Sequence, residues 1–404
     1  MVCLLKYFIH LISGIAFFTT GFVVYHIWLR PPFYFPKPTG QYSVGTTSYQ
    51  FKDESRKETH SENSTDKRKL MIQIWYPAKG KKQLSEIPYD SEPCIEMLKI
   101  ERGIPQKQLQ DLKKIYTFAH QGIPPENSSK YPVILFSPDF CCPRINNTAN
   151  CEELASHGYI VIGIDPTYAS AMVKFSDGQT IKGKDIKILE QDVDNKEQQI
   201  WVEDTIFVLD QLEKLNKDIK SPLYGMFNLD KIGIFGRSYG GSTAAQLCRL
   251  DKRCKAGVSL DGGLFGKNST EQFDKPFMFI MAQDWPWAHM TKEDLKQINV
   301  TKEQFENIKK KWLEYIPALC NAIGQDTYQI KIKNTKHNDF SDSTLIKEIS
   351  SLKSFNLDVG TINGFRTTEI VNAYLLNFFN KYLKNQSSNF LNNENKPYPE
   401  IETK

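Results

Sequence analysis

From residue 42 onward, short apolar runs alternate with segments of helical period. The stretches "YSVGTTSYQF" (42–51) and "KLMIQIWYPA" (69–78) alternate apolar and polar positions with period two, the mark of half-buried strands. The charged residues 52 to 69 between them read as an exposed hairpin loop, and a polar, helix-poor segment follows to about residue 128. Next come "YPVILFS" (131–137), "YIVIGID" (159–165), the start of "KIGIFGRSYGGSTAAQ" (231–246), "KAGVSLD" (255–261), "PFMFIMAQD" (276–284) and "TYQIKIKN" (327–334). Such apolar runs are strands buried on both faces. Helical segments separate them: 150–159, ending at Gly158; 184–216, with Trp201, Ile206, Val208 and Leu209 at apolar positions; and the stretch after residue 238. A last amphipathic helix covers 365–384. The alternation predicts an α/β fold with a mainly parallel central sheet and helices on both faces. Residues 285 to 325 interrupt it with two helices and the Trp285/Trp287 pair, and the Asn-rich tail after 385 is expected to be disordered.

A chain of 404 residues, 40% hydrophobic and 24% charged, can bury a full core in one large α/β domain or two ordinary ones. Its net charge of +4 comes from interspersed Lys, Asp and Glu without a basic block, which argues against nucleic-acid binding. The segment "YFIHLISGIAFFTTGFVVYHIWL" (7–29), bracketed by Lys6 and Arg30, is long enough to cross a bilayer. It lacks a clean small-residue cleavage site, so residues 1–30 read as an uncleaved signal anchor in preference to a cleaved signal peptide. Asn63, Asn127, Asn146, Asn268, Asn299 and Asn385 each begin a glycosylation sequon. Leader and sequons together place the body in the secretory lumen or outside the cell, membrane-anchored, or secreted if the leader is cleaved. In that compartment the 8 cysteines can pair; at least one bond is expected from Cys141, Cys142 and Cys151, and Cys248 and Cys254 also lie close in sequence. None shows metal-ligand spacing.

Chemistry concentrates at "GRSYG" (236–240). A strand-to-helix turn this tight needs small residues at 236, 240 and 241, and it leaves Ser238 exposed at an elbow beside the positive end of the next helix. Such a serine is a candidate nucleophile that needs a base and an acid. Of 7 histidines, His10 and His26 lie in the leader, His60 and His120 in polar connections, His157 at a helix end, and His289 beside the inserted helices. His337, in the loop after the last predicted strand, sits at the sheet edge where α/β sites are built. Asp261 and Asp284 both end strands at that edge, and position alone leaves the acid open between them.

"GQYSVG" (40–45), "KYPVILFS", "LASHGYIV", "KIGIFGRSYGGST", "KAGVSLDG" and "KHNDFSD" occur in the order found in the platelet-activating-factor acetylhydrolase family, which the chain resembles from about residue 40 to 385. The resemblance implies an α/β-hydrolase domain over 31–385 and a calcium-independent serine esterase cleaving short sn-2 acyl chains from phospholipids, without cofactor or metal. It assigns the acid role to Asp261, with Asp284 as runner-up, and gives Ser238 and His337 the other two roles. The oxyanion donors implied are the N–H groups of Tyr239 and Phe140. Where the family carries a His-Gly-Leu-Gly-type loop, this chain has "FSPDFCCPR"; Asp139 there would repel a developing oxyanion unless its side chain points away. Arg237 stands where such elbows usually carry His. The 285–325 insertion is a candidate lid or membrane-docking surface, with a buried core patch the alternative. Two other functions are compatible with these features: a broad carboxylesterase, and a non-catalytic adhesion or binding protein on the same fold.

Overall fold

The apolar runs become the strands of one ten-stranded sheet in a computed structural model that describes residues 32–80, 89, 91–188, 191–267, 269–284, 290–297, 300–320, 326–387, 389–391 and 397–402. The leader, Trp285, Trp287, His289, Asn268 and Asn299 lie outside the described residues. In chain order the sheet contains β1 (Ser43–Lys57), β2 (Lys67–Ala78), β3 (Ala119–Gln121), β4 (Tyr131–Ser137), β5 (Ile160–Asp165), β6 (Phe227–Arg237), β7 (Cys254–Leu260), β8 (Phe277–Ala282), β9 (Thr327–Ile332) and β10 (Ile401–Glu402). Their spatial order is β10-β9-β8-β7-β6-β4-β5-β2-β1-β3. The pairs from β9 through β5 are parallel; β2 pairs antiparallel with both β5 and β1, and β10 antiparallel with β9.

The helices are α1 (Ser91–Arg102), α2 (Thr148–Ser156), α3 (Gln191–Lys217), α4 (Tyr239–Leu250), α5 (Lys292–Gln297), α6 (Lys302–Lys310), α7 (Ile316–Cys320), α8 (Ser343–Ile346) and α9 (Gly364–Lys384). Period-two alternation explains the two cores. Ile134 and Phe136 of β4 point to a layer with Leu154 of α2 and Tyr374 and Phe378 of α9. Val133 and Leu135 point the other way, toward Val208 and Leu212 of α3 and Leu247 of α4. No helix among the described residues is long and apolar enough to cross a membrane.

The supposed hairpin loop shrinks to residues 58–66, because β1 runs on to Lys57 and β2 starts at Lys67. Three of its charges, Asp53, Glu58 and Arg68, are buried: Arg68, 2% exposed, donates to Asp204 and Glu58 and holds the hairpin end against α3. The segment read as helix-poor contains α1, whose Cys94, Ile95, Met97 and Leu98 face the core. The stretch 184–188 is not helical, so the helix begins later, at Gln191. The tail is ordered at residues 397–402: Ile401 is buried as the edge strand β10, and Glu400 pairs with Arg366 at 2.8 Å. Asn146 is 1% exposed, which bars a glycan there, whereas Asn63, Asn127 and Asn385 are exposed. The expected bond from Cys141, Cys142 and Cys151 is not formed: all three are free thiols, with Cys151 turned into the core from α2. Cys248 and Cys254 are also free, their Sγ atoms 3.1 Å apart.

Candidate active site

β6 drives into α4 through Ser238, whose φ of 52° and ψ of −117° lie outside the regions ordinary residues favour. Glycine makes the turn possible: a Cβ on Gly236 would lie 2.0 Å from the Gly240 carbonyl oxygen, and one on Gly240 2.1 Å from that of Ser137. The Ser238 N–H donates to the Leu260 carbonyl at 2.9 Å, tying the elbow to the end of β7.

Beyond Leu260 the chain turns at Asp261, which has φ 50° and is 1% exposed. Its Oδ1 accepts the Ala282 N–H at 2.7 Å, and its Oδ2 lies 2.7 Å from His337 Nδ1. His337 Nε2 is 2.9 Å from Ser238 Oγ. The partners assign the tautomer: Nδ1–H donates to the carboxylate, and Nε2 faces the hydroxyl. Asp284, just beyond β8, is exposed, so the carboxylate brought to His337 is that of Asp261.

The loop after β9 is fixed by its own acidic residues. Asp339 accepts the Lys336 N–H at 2.9 Å and the Thr344 hydroxyl at 2.7 Å, stabilising the turn that starts at His337. Asp342 accepts the Thr148 and Ala149 N–H groups at 2.8 and 3.3 Å, binding the loop to the first turn of α2. His60 instead pairs with Glu197 at 2.7 Å, His157 lies 3.1 Å from Glu153, and His120 sits on the edge strand β3. Among the described residues no group of three or more His, Cys, Asp or Glu side chains could hold a metal ion.

Two residues that sequence reasoning treated only as departures belong to the constellation. Arg237, 2% exposed, reaches Asp139 Oδ2 at 2.9 Å, the His337 carbonyl at 3.3 Å and the Asn338 side-chain oxygen. Asp139 does not point away. Its Oδ1 accepts the N–H of Phe140 at 2.7 Å and that of Tyr239 at 3.4 Å, while its Oδ2 is 3.6 Å from His337 Nε2. The two amides therefore converge on one point, and a carboxylate of the chain itself stands there. The opposite charges at 139 and 237, both at unusual positions, were the signal available in the sequence.

Burial and the Arg237 guanidinium push the His337 imidazole down, but hydrogen bonds with Asp139 and Asp261 and the Asp261 charge outweigh them and raise it to about 9. Burial pushes the Asp139 carboxyl up; Arg237, His337 and a hydrogen bond from Ser238 overcome that and hold it down at about 2. The Cys141 thiol, pushed up to about 12 by burial and nearby carboxylates, stays protonated and is a poor nucleophile. Beside the serine, Ala169, Trp201 and Tyr239, joined by Phe140 and Phe265, form an apolar wall.

A strand-to-helix serine at the carboxyl edge of this sheet, backed by histidine and aspartate from later strand ends, defines the α/β-hydrolase class. A ferulic acid esterase structure from Streptomyces cinnamoneus shares the fold, with a TM-score of 0.69, 24% identity and coverage of 92% of this chain and 99% of that one. The chain belongs to the family described as platelet-activating factor acetylhydrolase, isoform II, matching it over residues 30–398. Its relatives include a probable 1-alkyl-2-acetylglycerophosphocholine esterase from Arthroderma benhamiae, 25% identical, the match covering 91% of this chain and 93% of the relative. The platelet-activating factor acetylhydrolase of Cavia porcellus is 24% identical, with 86% and 78% covered. The chain is a serine esterase of this family, a hydrolase of carboxylic ester bonds.

Proposed function

We propose that the protein hydrolyses the short sn-2 acyl ester of platelet-activating factor and similar phospholipids, with Ser238 as nucleophile, His337 as general base and Asp261 as the orienting acid. The observation that carries the roles is the unbroken chain of contacts, Asp261 to His337 at 2.7 Å and His337 to Ser238 at 2.9 Å. The hydroxyl attacks the ester carbonyl as Nε2 takes its proton; the imidazolium then protonates the leaving lysophospholipid alkoxide. Water, activated by the same nitrogen, releases the acyl group from Ser238. The Tyr239 and Phe140 amides face the oxygen that becomes negative. Family membership supports the substrate class, and the Trp201–Tyr239–Phe265 wall suits a small apolar acyl group.

The test is release of acetyl, butanoyl, hexanoyl and palmitoyl groups from sn-2 of otherwise identical phosphatidylcholines, with and without chelator, beside a nitrophenyl ester. Acetyl release should exceed palmitoyl release by at least about 100-fold and resist chelator, as expected of an esterase selective for short acyl chains. Activity on the nitrophenyl ester alone would make the protein a broad carboxylesterase.

The base works only when neutral. With His337 raised to about 9 in the resting enzyme, kcat/KM should climb about tenfold per pH unit through neutrality and level off above pH 9. A profile flat from pH 6 to 9 would refute that assignment.

We place the leader, residues 1–30, in the membrane with the body on the lumenal or extracellular side; the exposed sequons at Asn63, Asn127 and Asn385 support that orientation.

A further inference from the structure

We propose that Asp139 is the resting occupant of the oxyanion hole and that the ester carbonyl must displace it before Ser238 can attack. The inference rests on the catalytic reading above and adds a residue to it that touches the reacting atoms. Its basis is geometric. One oxygen of Asp139 takes both amide hydrogens that would otherwise receive the substrate oxyanion, at 2.7 Å from Phe140 and 3.4 Å from Tyr239. A carboxylate oxygen and a tetrahedral oxyanion are both negative, and the two amides hold a single site, so they exclude one another. The resting site thus mimics a complex with the carboxylic acid product, formed within the chain.

The second oxygen explains how the occupant can leave. Asp139 Oδ2 is 2.9 Å from Arg237 Nη1, so a carboxylate swung off the amides keeps a buried counter-charge. Stranding it alone would cost far more. Arg237 cannot follow, because it is also held by the His337 carbonyl and the Asn338 side chain. Gating by Asp139 lowers the apparent rate by the fraction of molecules whose hole is open. Asp139 also faces His337 Nε2 at 3.6 Å, so its departure takes away a partner that favours the imidazolium. The other charged or titratable groups around the imidazole are Arg237 from β6, Asp261 beyond β7 and Glu101 from α1, with the Cys141 and Cys142 thiols beside Asp139.

Asp139→Asn separates the terms. Its single oxygen can serve Arg237 or the amides but not both, and its NH2 group cannot accept from an N–H. Acting on nitrophenyl acetate at pH 7, this variant should gain about tenfold or more in kcat/KM, a modest part of what a complete oxyanion hole is worth. The acidic limb of its pH profile should move toward the ordinary histidine range, and free acetate should bind more tightly. Asp139→Ala serves if the Asn variant does not fold. An unchanged or reduced kcat/KM with an unmoved limb, in an enzyme whose activity disappears with Ser238→Ala, overturns the proposal and leaves the catalytic reading standing. If activity survives Ser238→Ala, the catalytic reading fails instead. The occupancy claim is then decided by acetate binding measured calorimetrically: tighter binding to Asp139→Asn upholds it, and equal binding refutes it.

Discussion

Asp261→Asn should lower kcat about 10⁴-fold while leaving the melting temperature within a few degrees of the parent. The reason lies in the two oxygens of Asp261. One must remain an acceptor for the Ala282 N–H, so the new amide nitrogen is the atom that faces His337 Nδ1. It donates where the carboxylate accepted. The imidazole then carries its hydrogen on Nε2, aimed at the Ser238 hydroxyl, and it can no longer take the serine proton. The fold survives because both hydrogen bonds persist with one direction reversed. Asp284→Asn is the matched control and should change kcat less than twofold, since that side chain is exposed and the carboxylate at His337 Nδ1 is that of Asp261. A loss of the same size in both variants would show that position 261 acts through the strand ends rather than through the imidazole.

Arg237→Met should destabilise the protein by about 3–5 kcal/mol and remove most of its activity. Methionine fills much of the volume but donates nothing. Asp139, which is 14% exposed at its side chain, would lose its guanidinium counter-charge and keep only the Phe140 and Tyr239 amides and His337, and the His337 carbonyl and Asn338 oxygen would lose their Arg237 donor. The loop carrying the base and the loop carrying the Phe140 amide would both be released. Denaturant midpoints of the wild type, Arg237→Met, Asp139→Asn and the double variant measure the coupling directly. The double variant should recover at least about 1–2 kcal/mol of the loss, because it no longer leaves a carboxylate stripped of its guanidinium. Additive losses would show that Arg237 acts through packing alone.

Those expectations depend on contacts of unequal visibility in the sequence. The strands Tyr131–Ser137, Ile160–Asp165 and Phe277–Ala282 were legible because a strand buried on both faces reads as an apolar run, and Thr327–Ile332, half-buried on one face, was legible from its alternation. Ser238 and His337 were legible because a glycine-framed elbow and a loop at a strand end are positions where chemistry is built. The choice between Asp261 and Asp284 was not, since both end strands at one edge; the family resemblance favoured Asp261, and the geometry brings that residue to His337. α1 stayed hidden because its apolar residues are interleaved with Glu92, Glu96, Lys99 and Arg102. β10 stayed hidden because two residues in a polar tail carry no periodicity. The Asp139–Arg237 pair was the hardest case, since each residue looks like a defect until the other stands beside it.

The order of the strands also bears on how the protein is made. β1 to β5 all come from the first 165 residues and assemble as one half of the sheet, with β4 on its inner side. The second partner of β4, on the side away from β5, is β6, which cannot arrive until residues 227–237 have been synthesised, after the whole of α3. Every residue of β4 is buried in the finished protein, so the emerging chain carries an open, apolar, hydrogen-bond-hungry edge throughout that interval. The half-finished polypeptide, rather than the mature enzyme, is therefore the species most exposed to aggregation, and the one for which protection during translation matters.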